Sequence, residues 1–103
     1  MRGVFGPADA APLRERLEAS LAAGAGWVAI DVAAAEGVDG PALAEAARLD
    51  GVVVCGGSDA LLRELAAAGV VATRRLLDVR IAARAQRGDG LKRRLELLEL
   101  PRL

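Results

Sequence analysis

The chain has 103 residues, 53% of them hydrophobic, and 14 basic side chains balance 14 acidic ones. That length makes one domain with a core of its own, and a lone cysteine, Cys55, excludes an internal disulfide framework and fits a reducing compartment. No run of about 18 apolar residues occurs, and Met1-Arg2 is followed at once by Gly3 and Pro7, which is no signal-peptide pattern; the expectation is a cytoplasmic protein without a membrane span.

In chain order, Val4-Phe5-Gly6 reads as a short strand stopped by Pro7. Leu13, Leu17 and Leu21 recur at four-residue spacing among charged neighbours, which predicts an amphipathic helix. Asp9 is its expected N-cap, Pro12 is tolerated in its first turn and Gly24 is its stop. Residues 27–32, WVAIDV, are apolar on both alternating faces except at Asp31, as in a strand covered on both sides. The next helix opens at Pro41, with Gly40 as N-cap; Leu43, Ala46 and Ala47 form its inward stripe. Residues 51–55, GVVVC, form another buried strand. Gly56-Gly57-Ser58 turns the chain, and Ser58 caps a helix that carries Leu61, Leu62 and Leu65 and ends at Gly69.

Strict strand–helix alternation with short connections predicts an α/β domain, with a central, mainly parallel sheet, over residues 1–88. Residues 70–79 are open between strand and helix. Residues 80–87 read as helix, with Arg80, Arg84 and Arg87 on one face. Gly88-Asp89-Gly90 is a break. Residues 89–103 are expected as an amphipathic C-terminal helical tail, with Leu91, Leu95 and Leu98 on one stripe. Leu97 and Leu100 fall elsewhere on that helix and ask for another partner, a second copy of the chain among them.

The chemical inventory is short. The chain has no His and no Tyr, so a Ser-His-Asp or Cys-His arrangement is impossible within it. Zinc lacks the several Cys or His ligands it needs, and the carboxylates lack calcium-loop spacing. No metal, cofactor or catalytic residue is expected. Gly56, Gly57 and Ser58 are the nearest approach to a phosphate cradle, but they lack the GxGxxG spacing and the GK[ST] ending, and Asp59 would repel an anion. Asp31 and Asp39 could form a carboxylate pair; the plainer reading gives Asp31 to loop amides and Asp39 to the positive end of its helix. Cys55 reads as a small buried apolar residue, and Trp27 as core or edge cover.

Charge is uneven. Residues 1–70 hold five Arg against ten Asp and Glu; residues 71–103 hold nine Lys and Arg against four. The plain reading sets a basic tail beside its own acidic body, and nucleic-acid binding stands last among the readings. Arg outnumbers Lys thirteen to one, in keeping with a GC-rich bacterial coding bias.

Three stretches together resemble a STAS domain, the module of sulfate transporters and anti-sigma factor antagonists: VFGPADAAPLRERLEASLAAG, WVAIDVAAAEGVDGPALAEAARL and GVVVCGGSDALLRELAAAGV. The likeness covers residues 3–71. Where that family would read Asp-Ser-x-Gly-Leu, this chain reads Asp39-Gly40-Pro41-Ala42-Leu43, without the phosphorylatable hydroxyl. The family's usual first strand is also missing, and the tail after residue 80 has no counterpart.

The resemblance implies a non-enzymatic module that binds another protein, an anti-sigma factor kinase-like protein or a transport component, through loop 33–40 and Asp39, Gly40, Pro41 and Leu43. Binding would be constitutive, since Gly40 cannot carry phosphate. Two readings remain beside it. One is a nucleotide or phosphate ligand at Gly56, Gly57 and Ser58. The other is a structural homo-oligomer held by Leu91, Leu95 and Leu98.

Overall fold

The computed structural model describes residues 4–74 and 94–100. Four strands form one sheet in the order β5-β4-β2-β6: β2 is Ala25–Asp31, β4 is Val52–Cys55, β5 is Val71–Thr73 and β6 is Arg94–Glu99. Every neighbouring pair is parallel. A separate two-stranded parallel ladder joins β1, Val4–Phe5, to β3, Gly37–Val38. The helices are α1, Ala10–Ala22, α2, Gly40–Ala47, and α3, Asp59–Ala67. The expected α/β class with mainly parallel pairing is therefore what the described residues form.

Central position explains the composition of β2. It pairs with β4 on one side (Val28 opposite Val52, Ile30 opposite Val54) and with β6 on the other. Val28, Ala29 and Ile30 are all fully buried, so both faces of this strand are covered. Alternation divides these side chains. Val28, Ile30, Val52 and Val54 share one core with Leu13 and Leu17 of α1, Leu43 of α2 and Leu65 of α3. All three helices thus pack on one face of the sheet. Ala29, Val53 and Cys55 face the other way and cluster with Trp27 and Leu95.

Each helix follows from its spacing. Leu13 and Leu17 stand one turn apart and are wholly buried, each contributing about 1.5–3 kcal/mol. In α2 the small side chains of Ala42, Ala44, Ala46 and Ala47 are buried as well as Leu43. Their size lets this helix lie between α1 and α3. An Arg14 guanidinium donates to the Glu45 carbonyl at 3.1 Å and ties α1 to α2. Gly24 and Gly69 end α1 and α3 with positive φ, as expected of them.

Three expectations change, and one open question is answered. Asp9 holds the N-cap position of α1, as expected, but its carboxylate accepts from the Gly6 amide at 2.8 Å across the 3-10 turn Pro7–Asp9 and makes no cap bond to α1. The N-cap of α2 is Asp39 and not Gly40, because a cap needs an oxygen acceptor: Asp39 Oδ1 takes the Ala42 amide at 3.0 Å. Val71–Thr73, left open between strand and helix, is strand. The C-terminal segment differs most. Arg94–Glu99 is a parallel strand on β2 where a helical tail was expected, and Leu98 and Leu100 enter the main core. These residues add β6 to the edge of the sheet beside β2. The helix expected over 80–87, with Arg80, Arg84 and Arg87, lies outside the described residues, as does Leu91.

Among the described residues, no helix is long and apolar enough to cross a membrane.

Candidate functional site

The C-terminal ends of β2 and β4 open onto two loops. In open parallel sheets this is the edge where ligands bind. Residues 32–38 follow β2 and lead through β3 to the entrance of α2; residues 56–58 follow β4 and lead into α3.

At the entrance of α2, the four residues expected to meet a partner are not equivalent. Asp39 is half-buried and committed to the Ala42 amide. Gly40 is buried beneath Glu64 of α3: a Cβ built at position 40 would stand 2.5 Å from both carboxylate oxygens of Glu64. Leu43 is 0% exposed and belongs to the core, so it has no surface to offer a partner. Pro41 alone of the four is exposed. Glu64 was not marked by the sequence, and no local spacing could have marked it, because the contact with Gly40 arises only when α2 packs on α3.

At the second loop, Gly56 takes φ +83°, a conformation that favours glycine. A Cβ there would also stand 2.5 Å from Asp31 Oδ1 and 3.0 Å from the Ala33 methyl. Asp31 accepts the Ala33 amide at 2.9 Å, the loop role expected of it. Ser58 Oγ accepts the Leu61 amide at 3.2 Å and caps α3. The two aspartates therefore serve different backbone segments.

Between the loops lies a cleft of about 290 Å³. Val32, Ala35, Val38 and Leu61 supply apolar walls, Gly56 and Gly57 a bare backbone, and Glu36 and Ser58 the polar side chains. The sequence marked Gly56, Gly57 and Ser58; it did not mark Glu36 or the apolar walls, which line the cleft only through the β2 and α3 geometry. Among the described residues, charge around this edge is mostly negative. Asp31, Glu36, Asp39, Asp59 and Glu64 stand there, with Arg63 and Arg74 on the cationic side. Arg74 is paired with Asp59 at 3.1 Å.

Cys55 ends β4 and is fully buried. Burial first, and the Asp31 carboxylate second, push its thiol from 9.0 up to about 11, which leaves it inert as a nucleophile at neutral pH. Trp27 and Leu95 are partly buried in the smaller cluster, and the Trp27 indole N–H is buried without an acceptor among the described residues. Of the leucines expected to hold copies together, Leu98 is 5% exposed in the main core and Leu95 faces the opposite side of the sheet. They do not share a stripe, because a strand sends odd and even positions to different faces. Leu97, at 38%, and Val71, at 60%, are the apolar side chains left open on the smaller cluster's side.

No family model, no curated protein and no solved structure matches this chain.

Proposed function

We propose that this chain is a non-enzymatic protein-interaction module, resembling the STAS regulators, and that it meets its partner at the C-terminal edge of the sheet, through loop 33–38 and the Pro41 tip of α2. The observation that supports this reading is the Glu64 carboxylate packed on Gly40. It places a negative charge at the entrance of α2, where there is no hydroxyl to modify. A surface of this kind has no charge to gain by phosphorylation at position 40, so binding is constitutive. Its partner is another protein with a basic face, because Asp39 directly precedes Gly40 and the exposed Pro41, and Glu64 packs on Gly40. An anti-sigma factor kinase-like protein or a transport component is the class that the resemblance suggests.

Electrostatics separate this reading from a nucleotide or phosphate ligand at Gly56, Gly57 and Ser58. The positive end of α3 would attract an anion, but the Asp31 carboxylate stands behind Gly56, and Asp59, though paired with Arg74, lies in the first turn of α3.

The test is affinity capture by the immobilised full chain at low salt, with mass spectrometry of what is held. A Pro41→Arg, Glu64→Arg double variant keeps the Asp39 cap and the core. The expected result is a captured protein with a basic surface that the variant no longer holds, while circular dichroism is unchanged. Equal capture by the folded variant would count against this surface.

A further inference from the structure

The cleft between the two loops is not needed to present Pro41, and its chemistry points to a specific occupant. At about 290 Å³ it falls just below the range of roughly 300–1,000 Å³ that small-molecule sites take. A cleft of this size holds one long side chain. Its walls are apolar at Val32, Val38 and Leu61, and among the described residues its one charged lining residue is Glu36, exposed in the loop after β2. Glu36 makes no hydrogen bond or ion pair among the described residues. The helix-end amides that would favour an anion are offset: Ser58 takes the Leu61 amide, and Asp59 follows in the first turn.

We infer that this cleft receives a lysine or arginine side chain of the partner protein. The aliphatic stem lies against Val32, Val38 and Leu61, and the cationic head meets Glu36. Long basic side chains bury their stems in this way while the head stays near water. Pairing at an exposed carboxylate also avoids the desolvation that a buried ion pair incurs. The inference rests on the reading that this edge binds a protein, and it names the anchor within that surface.

The test uses the full chain, isotope-labelled, in an NMR titration with N-acetyl-arginine amide, with the uncharged N-acetyl-citrulline amide, and with inorganic phosphate. The expected result is that the arginine derivative shifts the amides of residues 33–38 and 56–58. The citrulline derivative leaves them in place, and Glu36→Gln removes the arginine response with the rest of the spectrum unchanged. Equal shifts from citrulline, no response to arginine, or phosphate shifting these amides in its place would each overturn the assignment. Capture of a protein that survives Glu36→Gln but is lost in the Pro41→Arg, Glu64→Arg variant would remove the cleft anchor and leave the surface standing. Loss of the arginine response together with unimpaired capture by that double variant would remove both.

Discussion

Glu64 occupies the space that any side chain at position 40 would need: its two carboxylate oxygens lie 2.5 Å from where a Cβ on Gly40 would be. The obstacle is the far end of a flexible side chain on an exposed residue, so it can yield. Gly40→Ala alone should therefore change stability by less than about 1 kcal/mol, because the gain in helix propensity is offset by displacing Glu64. In a Glu64→Ala background the same substitution should stabilise by roughly 0.5–1 kcal/mol. Urea unfolding of the four proteins in this cycle gives the coupling directly. Zero coupling would mean that the carboxylate does not rest on Gly40.

Asp39 is the next quantity to measure, because it connects the fold to the proposed surface. Its carboxylate takes the Ala42 amide. Asp39→Ala should cost about 1 kcal/mol, within the 0.5–2 kcal/mol usual for losing a cap, while Asp39→Asn should cost only a few tenths. The contrast between the two variants in denaturant midpoint separates capping from charge. It also shows why Asp39 is a poor site for testing partner binding: a loss of capture there would mix a weakened helix with a missing contact.

The same pair of residues illustrates what the sequence could reveal. The helix entrance was legible from Gly40-Pro41, but the cap was placed one residue late because proline at the first helical position was favoured over the better acceptor. β2 and β4 were legible because two-sided burial leaves a continuous apolar run. β3 was missed: two residues, Gly37 and Val38, carry no period and exist as a strand only by pairing with β1. β6 was misread because Leu95-Glu96-Leu97-Leu98-Glu99-Leu100 satisfies both periods. Leu95 and Leu98 stand three apart as on a helix; Leu98 and Leu100 stand two apart as on a strand. The sheet edge beside β2 decided it, and no local signal reports that edge. In the candidate site, the turn glycines and Ser58 were legible from their residue types. Glu36 and Glu64 were not, since their roles depend on which loops and helices come together.

The strand assignment at the C-terminus makes a prediction of its own. Leu98 and Leu100 are in the main core, whereas Leu97 is partly exposed on the opposite side. Leu98→Ala and Leu100→Ala should each cost about 2–5 kcal/mol, enough to threaten folding of a domain this small. Leu97→Ala should cost less than about 1 kcal/mol. A helical tail with Leu91, Leu95 and Leu98 on one stripe would instead make Leu95→Ala and Leu98→Ala equivalent and Leu100→Ala mild. Thermal unfolding of the Leu97, Leu98 and Leu100 variants separates the two arrangements.

Cys55 gives the fold a dependence on alkaline pH. With its thiol held at about 11 against 9.0 in the unfolded chain, the folded protein keeps a proton that the unfolded protein has released. The resulting stabilisation is complete below pH 9 and is lost as the pH rises through about 11. Its size is about 2–3 kcal/mol. The window is unusually clean, because the chain has no tyrosine and a single lysine, Lys92. Denaturant midpoints measured from pH 8 upward should fall for the wild type and stay flatter for Cys55→Ala. Parallel slopes would mean that the thiol is solvated, contrary to its burial in β4.

Gly56 tests whether the cleft keeps its shape through backbone geometry. Its φ of +83° is a conformation that side chains rarely adopt, and an added methyl would meet Asp31 Oδ1 at 2.5 Å and the Ala33 backbone nitrogen at 3.1 Å. Neither neighbour can yield cheaply: Asp31 is bonded to the Ala33 amide, and that amide is fixed by the end of β2. Gly56→Ala should therefore cost more than the roughly 1 kcal/mol that αL backbone alone demands of a residue with a Cβ, and it should loosen the loop that follows β2. Hydrogen exchange at the Ala33 amide reports that loosening locally, and urea unfolding reports the cost. If Gly56→Ala leaves both unchanged, the turn after β4 tolerates a side chain and cannot be what holds the two walls of the cleft apart. A slowed Ala33 exchange with raised stability would place Asp31 elsewhere than beneath this turn.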